Sequence, residues 1–401
     1  MKKWKQAFKI AFKGILLIIL LASTFAYAMF QGGFVSWFLF YSFVPFALYS
    51  FLLLLYPFRD FKVERIIDRS NVKAGDHVPV TIRMTRSFPF PLFYMVVEDI
   101  LPSSITDHSE CKPVKKIIFP WFRKTIELSY LINHIPRGEH LFRVVRCTIG
   151  DPLQLIEREK MFSYESHLLV YPSYVEMVYR PLESRYDQGM VHSTLRIQRD
   201  TSLVTGVREY QPGDRVSWIH WKAFAKKNEL MTKEFEEKRS HDVWLLLNRE
   251  QSEAFELLVK FAASVTRAVL KHGAQLGVYS VGEEYTILPL NGGDEQKQKV
   301  FYHLAKVKDN FPDSFQQVIR SFQQEVPTTV SVLILTTSMT PFMIKEFHRF
   351  TSVGVFLIKR DGEPLKREEK IAMNEAKLKG TLVKVLREHD FSHAFAEVKN
   401  A

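Results

Sequence analysis

The sequence predicts three unlike parts in series: a membrane α-helical hairpin, an all-β immunoglobulin-like sandwich, and an α/β domain with a mostly parallel sheet. Three observations carry this. Two apolar runs stand near the amino terminus with only Gln31-Gly32-Gly33 between them. Short alternating runs rich in Val, Ile, Thr and Phe follow. Continuous apolar runs then alternate with amphipathic stretches to the end of the chain. At 401 residues the chain exceeds one ordinary core, so two soluble units fit beside the hairpin.

Lys2, Lys3, Lys5, Lys9 and Lys13 precede the first apolar run, Gly14 to Phe30, and the second extends from Phe34 to Tyr56. Crossing a bilayer takes about 20 apolar residues, so helices are expected over about 14–30 and 34–56, within a segment 1–60. Arg59, Lys62 and Arg65 follow the second run, and the turn between the runs carries no charge. The positive-inside rule therefore puts both termini in the cytoplasm of a multi-pass cell-membrane protein. The "AYA" at Ala26 to Ala28 also matches a signal-peptide cleavage site. Even then the second run would return the C-terminal mass to the cytoplasm.

Residues 61–175 read as the β-sandwich. "HVPVTIRM", "FYMVVEDI", "KTIELSYLI", "EHLFRVVRCTI" and "SHLLVYP" are strand-like runs divided by turn residues. The Cys-Trp-Cys arrangement of true immunoglobulin domains is missing, so the resemblance is architectural. The two cysteines, Cys111 and Cys147, have no metal-ligand spacing and read as reduced thiols facing the cytosol. Residues 176–240 comprise a stretch without periodicity up to about Val204, which reads as a linker or an ordered excursion, and then a dense motif. From 241 to 401 the α/β domain begins with "DVWLLLN", continues through the helix-like "SEAFELLVKFAASVTRAVLKHG", and ends with a helix across Leu365 to Leu378.

The motif is "YQPGDRVSWIHWKAFAKKNELMTKEFEEK", Tyr210 to Lys238. Gln211-Pro212-Gly213-Asp214 suits a type II turn, and Asp214 is placed to cap a helix starting at Arg215. Val216, Trp218, Ile219, Trp221, Ala223 and Ala225 make that helix apolar enough to be mostly buried. Arg208, Glu209, Asp214, Arg215 and Lys222 alternate in sign as a partly buried ion network would. His220 has no Ser or Cys nucleophile beside it in the sequence, so no catalytic residue is assigned. The net charge of +11 is spread along the chain. Glu229, Glu234, Glu236 and Glu237 would spoil a phosphate surface around the two tryptophans, which argues against nucleic acid.

The stretch Gly206 to Glu237 resembles the signature of the family called domain of unknown function fifty-eight. Its pattern is matched by Arg208, Tyr210, Gly213, Asp214, Ile219, Trp221, Lys222, Leu230 and Glu234. "GDPLQL", Gly150 to Leu155, resembles a second landmark of that family. Trp218 and Phe224 depart from it, standing where the family often has Arg and a small hydroxyl residue. The resemblance implies that residues 241–401 form a von Willebrand factor A-like domain. Such domains often hold Mg²⁺ on Asp-x-Ser-x-Ser, but the corresponding positions here include Asn248, Glu250 and Ser252, a degenerate set. No metal and no cofactor are therefore expected. The resemblance further implies a membrane-anchored scaffold or adaptor in the lipid bilayer, working with a MoxR-type AAA ATPase in assembly or remodelling of a client complex. The alternative is a hydrolytic enzyme using the charged residues of the 208–222 motif.

Overall fold

The computed structural model describes residues 2–67, 71–106, 114–182, 197–211, 214, 216–239, 242–281, 285–311, 322–326, 330–347, 350 and 352–396. The chain divides into two compact units, Met1–Tyr171 and Pro172–Ala401.

The first unit opens with two antiparallel helices, α1 (Lys2–Gln31) and α2 (Phe34–Leu55), with Gly14 of the first beside Leu54 of the second. The sequence placed the first helix at about 14–30. It starts earlier because "KKWKQAF" consists largely of residues that tolerate a helix well. Both helices are long and apolar enough to cross a membrane, over Phe12–Gln31 and Phe34–Leu55, and only 11% and 17% of their most apolar stretches is covered by protein. That exposure is unlike a helix in the core of a soluble domain.

Seven antiparallel strands follow: β1 (Lys62–Ile67), β2 (Val78–Thr85), β3 (Tyr94–Ile100), β4 (Val114–Ile118), β5 (Thr125–Ile132), β6 (Gly138–Gly150) and β7 (Glu157–Val170), with a single helical turn α3 (Ser103–Thr106) between β3 and β4. They form two sheets, ordered β1-β2-β5 and β4-β3-β6-β7. Strict alternation of exposed and buried positions in β5 gives one sheet its inward face. Val80, Ile82, Met84 and Leu128 of that sheet share one hydrophobic core with Met95, Val97, Val145 and Ile149 of the other. Cys147 lies in the same core as a free thiol, pushed up to about 12 by burial. Cys111 lies outside the described residues.

Arg65, counted in the sequence among the cations that follow the second apolar run, lies in the core of the β-unit. Its guanidinium, on β1, pairs with Asp99 of β3 at 2.6 Å, and both side chains are wholly buried. Tyr130 of β5 donates its hydroxyl to the same carboxylate at 2.5 Å, and Arg65 also reaches the Tyr164 carbonyl of β7 at 3.1 Å. Burial and the neighbouring Asp99 charge drive the Tyr130 phenol far above its ordinary range. A charge inside the core survives because every lobe of it is met, and here the partners come from both sheets.

In the second unit residues 172–182 run without helix or strand. Met177 and Tyr179 are buried, and the Val175 amide donates to Ser264 Oγ at 2.9 Å. A two-stranded ribbon follows, β8 (Ile197–Glu209) with β9 (Met231–Arg239), enclosing the short helix α4 (Trp221–Lys227). No period announces β8, whose first residues fall in the stretch read as a linker or an ordered excursion.

The α/β region contains β10 (Val243–Asn248), α5 (Phe255–Lys271), β11 (Leu276–Val281), β12 (Tyr285–Asn291), α6 (Gly293–Lys306), β13 (Ser331–Thr336), α7 (Pro341–Phe347), β14 (Ser352–Ile358), α8 (Arg367–Leu378) and β15 (Leu382–Leu386). The stretch Asp313 to Gln324, whose sequence reads as helical, falls mostly outside the described residues. The sheet order is β12-β11-β10-β13-β14-β15, parallel except for β12. Three residues separate β11 from β12, too few for a crossover, so this pair must be a hairpin. Pro289 is tolerated in β12 because that strand is an edge. β15 was not anticipated, since five residues are too few to carry a clear period. At the centre Trp244 lies across Gly277, where any β-carbon would come within 2.8 Å of the indole.

Candidate functional site

The motif after β8 turns back sharply, and Asp214 holds the turn closed. One carboxylate oxygen receives Arg208 Nη2 at 2.7 Å; the other receives the Gln211 amide at 3.0 Å and the Thr232 hydroxyl of β9 at 3.2 Å. The hydrogen bond from Arg208 and then that from the Gln211 amide hold the carboxyl below the usual carboxylate range. Tyr210 reinforces the closure, its amide donating to the Leu230 carbonyl at 2.9 Å and its hydroxyl to the Asp214 carbonyl at 3.4 Å. Thr232 is buried and faces Ile219, also buried, across an isolated bridge.

These contacts correct the expected helix. Asp214 does not cap a helix starting at Arg215, because its carboxylate is engaged by Arg208, Gln211 and Thr232. The chain forms one 3₁₀ turn, Val216–Trp218, and then breaks at His220, whose φ of −91° and ψ of 82° are not helical. His220 is the cap of α4 instead, its Nδ1 accepting the Ala223 amide at 3.0 Å. With seven residues α4 is too short to bury a continuous stripe, and the expectation of a largely buried helix fails. Trp221 is 62% exposed, Val216 66% and Leu230 46%. Trp221 meets Phe224 edge to face at 6.1 Å.

Of the expected ion network, the described residues show one pair. Among the described residues of the motif, Arg208 and Asp214 form the ion pair; Glu209 contributes only its carbonyl to Arg208, at 3.0 Å, and Lys222 is exposed. Pro212, Gly213 and Arg215 lie outside the described residues, as does the side chain of Glu234. The fold thus brings Arg208, Tyr210, Asp214 and Ile219 together around Thr232, and leaves Trp221, Lys222 and Leu230 on the surface. Thr232 was not singled out in the sequence. Its role depends on the register of β8 with β9, where it faces Arg208.

A second candidate lies at the C-terminal ends of β10 and β13. Numbered along the α/β region, the sheet runs 3-2-1-4-5-6, and the order reverses between these two strands, where open α/β sheets bind ligands. Asn248 donates to Thr336 Oγ1 at 2.9 Å and accepts the Glu250 amide at 3.1 Å. Glu250 receives the Ser338 hydroxyl at 2.5 Å, and Ser252 receives the Ala254 amide at 3.2 Å. Arg249, buried, donates to the Lys308 carbonyl at 2.8 Å and to Asn310 at 2.5 Å. A guanidinium beside Asn, Glu and hydroxyl groups that bond to one another suits internal closure of this crevice better than coordination of a cation.

The sequence missed a third constellation. Lys359, 2% exposed at the end of β14, pairs with Glu363 and with the equally buried Glu369 of α8, each at 2.9 Å. Burial alone would lower its ammonium, but hydrogen bonds and charge from the two carboxylates outweigh it and raise it.

Residues 206–349 match the family described as protein of unknown function DUF58. The chain is 45% identical over 305 residues, 76% of each sequence, to the uncharacterized protein YeaD of Bacillus subtilis (strain 168). Likeness to solved structures is slight. The CARDB domain of the PF1109 protein from Pyrococcus furiosus is 12% identical with a TM-score of 0.18, covering 28% of this chain and 87% of that one. A conjugative transposon lipoprotein from Bacteroides eggerthii is 12% identical with a TM-score of 0.16, covering 26% and 96%. Neither supports an argument about fold or activity.

Proposed function

The chain belongs to the family described as protein of unknown function DUF58, and from that premise we propose that it is a membrane-anchored scaffold or adaptor whose 206–239 ribbon docks a partner protein. The observation that carries this is the contrast within the ribbon. Arg208, Asp214 and Thr232 satisfy one another, whereas Val216, Trp221 and Leu230 stand exposed beside them. A catalytic site needs a polar group free to meet substrate, while an anchor residue for a protein needs an exposed aromatic on a rigid base. The partner proposed is a MoxR-type AAA ATPase acting on a client complex.

The two antiparallel sheets around one core support an immunoglobulin-like sandwich, and the central parallel strands with helical crossovers support a von Willebrand factor A-like C-terminal domain. The poorly covered apolar helices support a multi-pass anchor in the cell membrane. Affinity capture of the full chain from its own membranes, with ATP hydrolysis blocked, tests the reading. An ATPase of this class should be retained by the native chain and lost with Trp221→Ala. Retention of none by the native chain would refute the partnership.

A further inference from the structure

We infer that the β-unit does not merely hang from its anchor but sits in the bilayer surface, with three loops around α2 forming an aromatic collar against lipid. The inference rests on the membrane reading proposed above. It begins with a length. Twenty-two helical residues at ~1.5 Å each give α2 about 33 Å, enough for a hydrocarbon core of roughly 30 Å. One face of the last two turns, however, is already held by protein, while Phe51, Leu52 and Leu55 stay exposed on the other. Tyr49 receives the Phe93 amide at 3.0 Å and donates to the Pro91 carbonyl at 2.9 Å; Ser50, wholly buried, donates to Asp151 at 3.1 Å. Leu53 and Tyr56 belong to the β-core, and Arg158 of β7 donates to the carbonyls of Leu53, Leu54 and Tyr56 at 3.1, 3.1 and 2.6 Å. A cation on these last carbonyls fixes the helix end to the sheet.

The stretch of α2 before Tyr49 then spans only about 22 Å, short of the hydrocarbon thickness. If α2 crosses, the loops that grip Tyr49 and Ser50 lie at the level of the outer acyl chains and headgroups. Their surfaces suit that position. Phe88 and Phe93 of the first loop, Phe119, Trp121 and Phe122 of the second, and Leu153 of the Asp151-Pro152 turn are between 38% and 62% exposed. The first two loops are joined through Leu92 and Trp121, whose amides and carbonyls exchange hydrogen bonds of 3.0 and 3.2 Å, and Phe93 packs on Trp121 at 5.8 Å. Exposed Arg123 and Lys124 follow at once, placed to reach lipid phosphates as cations do beside an interfacial aromatic belt. The Gly150 to Leu155 motif thereby acquires a role: it locks α2 with Asp151 and offers Leu153 to the lipid.

The test uses the full chain carrying Cys111→Ser, since the buried Cys147 thiol is poorly reactive. Single cysteines replace Phe38 on the lipid-facing side of α2, Phe122 and Leu153 on the collar, and Glu165 further along β7. Each is labelled with an environment-sensitive fluorophore in nanodiscs of equal parts phosphatidylcholine and phosphatidylglycerol, with and without spin-labelled acyl chains. Labels at Phe122 and Leu153 should be quenched to an extent comparable with Phe38, and the Glu165 label should not be. Quenching at Phe38 without quenching at Phe122 and Leu153 would overturn the collar and leave the anchor standing. Absence of quenching at Phe38 would overturn the anchor and the collar together.

Discussion

Two arginine–aspartate pairs, one in each unit, share a chemistry and differ in surroundings. Arg65–Asp99 is sealed between two sheets, with Tyr130 on the carboxylate and no exposed atom in either charged side chain. Arg208–Asp214 closes a surface turn, with Thr232 on the carboxylate and 36% of the arginine side chain exposed. Both carboxylates thus receive a guanidinium and a hydroxyl. In the first, loss of one partner leaves a charge stranded in the core. In the second, water can replace what is lost. The pair that stands out in the sequence is therefore the less important one for stability, and its signature pattern reflects the shape of a surface instead.

The largest effect expected is from Asp99→Ala, which should cost about 3–5 kcal/mol because Arg65 is left unpaired in the core. Denaturant unfolding of the full chain in detergent checks this, and a loss well under 1 kcal/mol would abolish the contrast. Tyr130→Phe keeps the ion pair and removes one donor, and by the same measurement should cost about 1–3 kcal/mol. The two sites should also fail at opposite ends of the pH scale. Because Tyr130 is raised in the folded state, its contribution is complete below about pH 10 and declines as pH climbs toward the folded value. Asp214 is lowered, so its contribution is present above about pH 4 and disappears as pH falls through the folded value. Melting followed across pH should therefore lose its alkaline component in Tyr130→Phe and part of its acid component in Asp214→Asn. Trp221→Ala should be the mildest of these, within about 0.5 kcal/mol of the native chain, while removing partner capture. A large loss of stability there would mean that the exposed aromatic is structural after all.

How much was legible depended on the range of the interaction. The buried strand β10 and helix α5 follow from runs and periods within a few residues, and so appear in the sequence close to their observed limits. The 206–239 motif was legible as a motif but not as a shape. Asp214 looks like a helix cap until Thr232, 18 residues onward, takes part of its carboxylate, and His220, assigned no catalytic role from sequence, caps α4. Arg65 looks like a flanking cation until Asp99 arrives from another strand, and nothing near Lys359 in the sequence indicates that Glu369 will meet it in the interior.

By itself, then, the sequence determined an apolar helix pair, a strand-rich middle and an alternating α/β end, because hydrophobic periodicity is local and the burial of each element follows from it. Tertiary structure alone decided which charges go inside and which side chains remain out. Ser50 and Asp151 stand 101 residues apart, and neither carries any mark of the other. Such pairings are set by strand register and by the seating of a helix end on a sheet, where a shift of one residue exchanges a buried face for an exposed one.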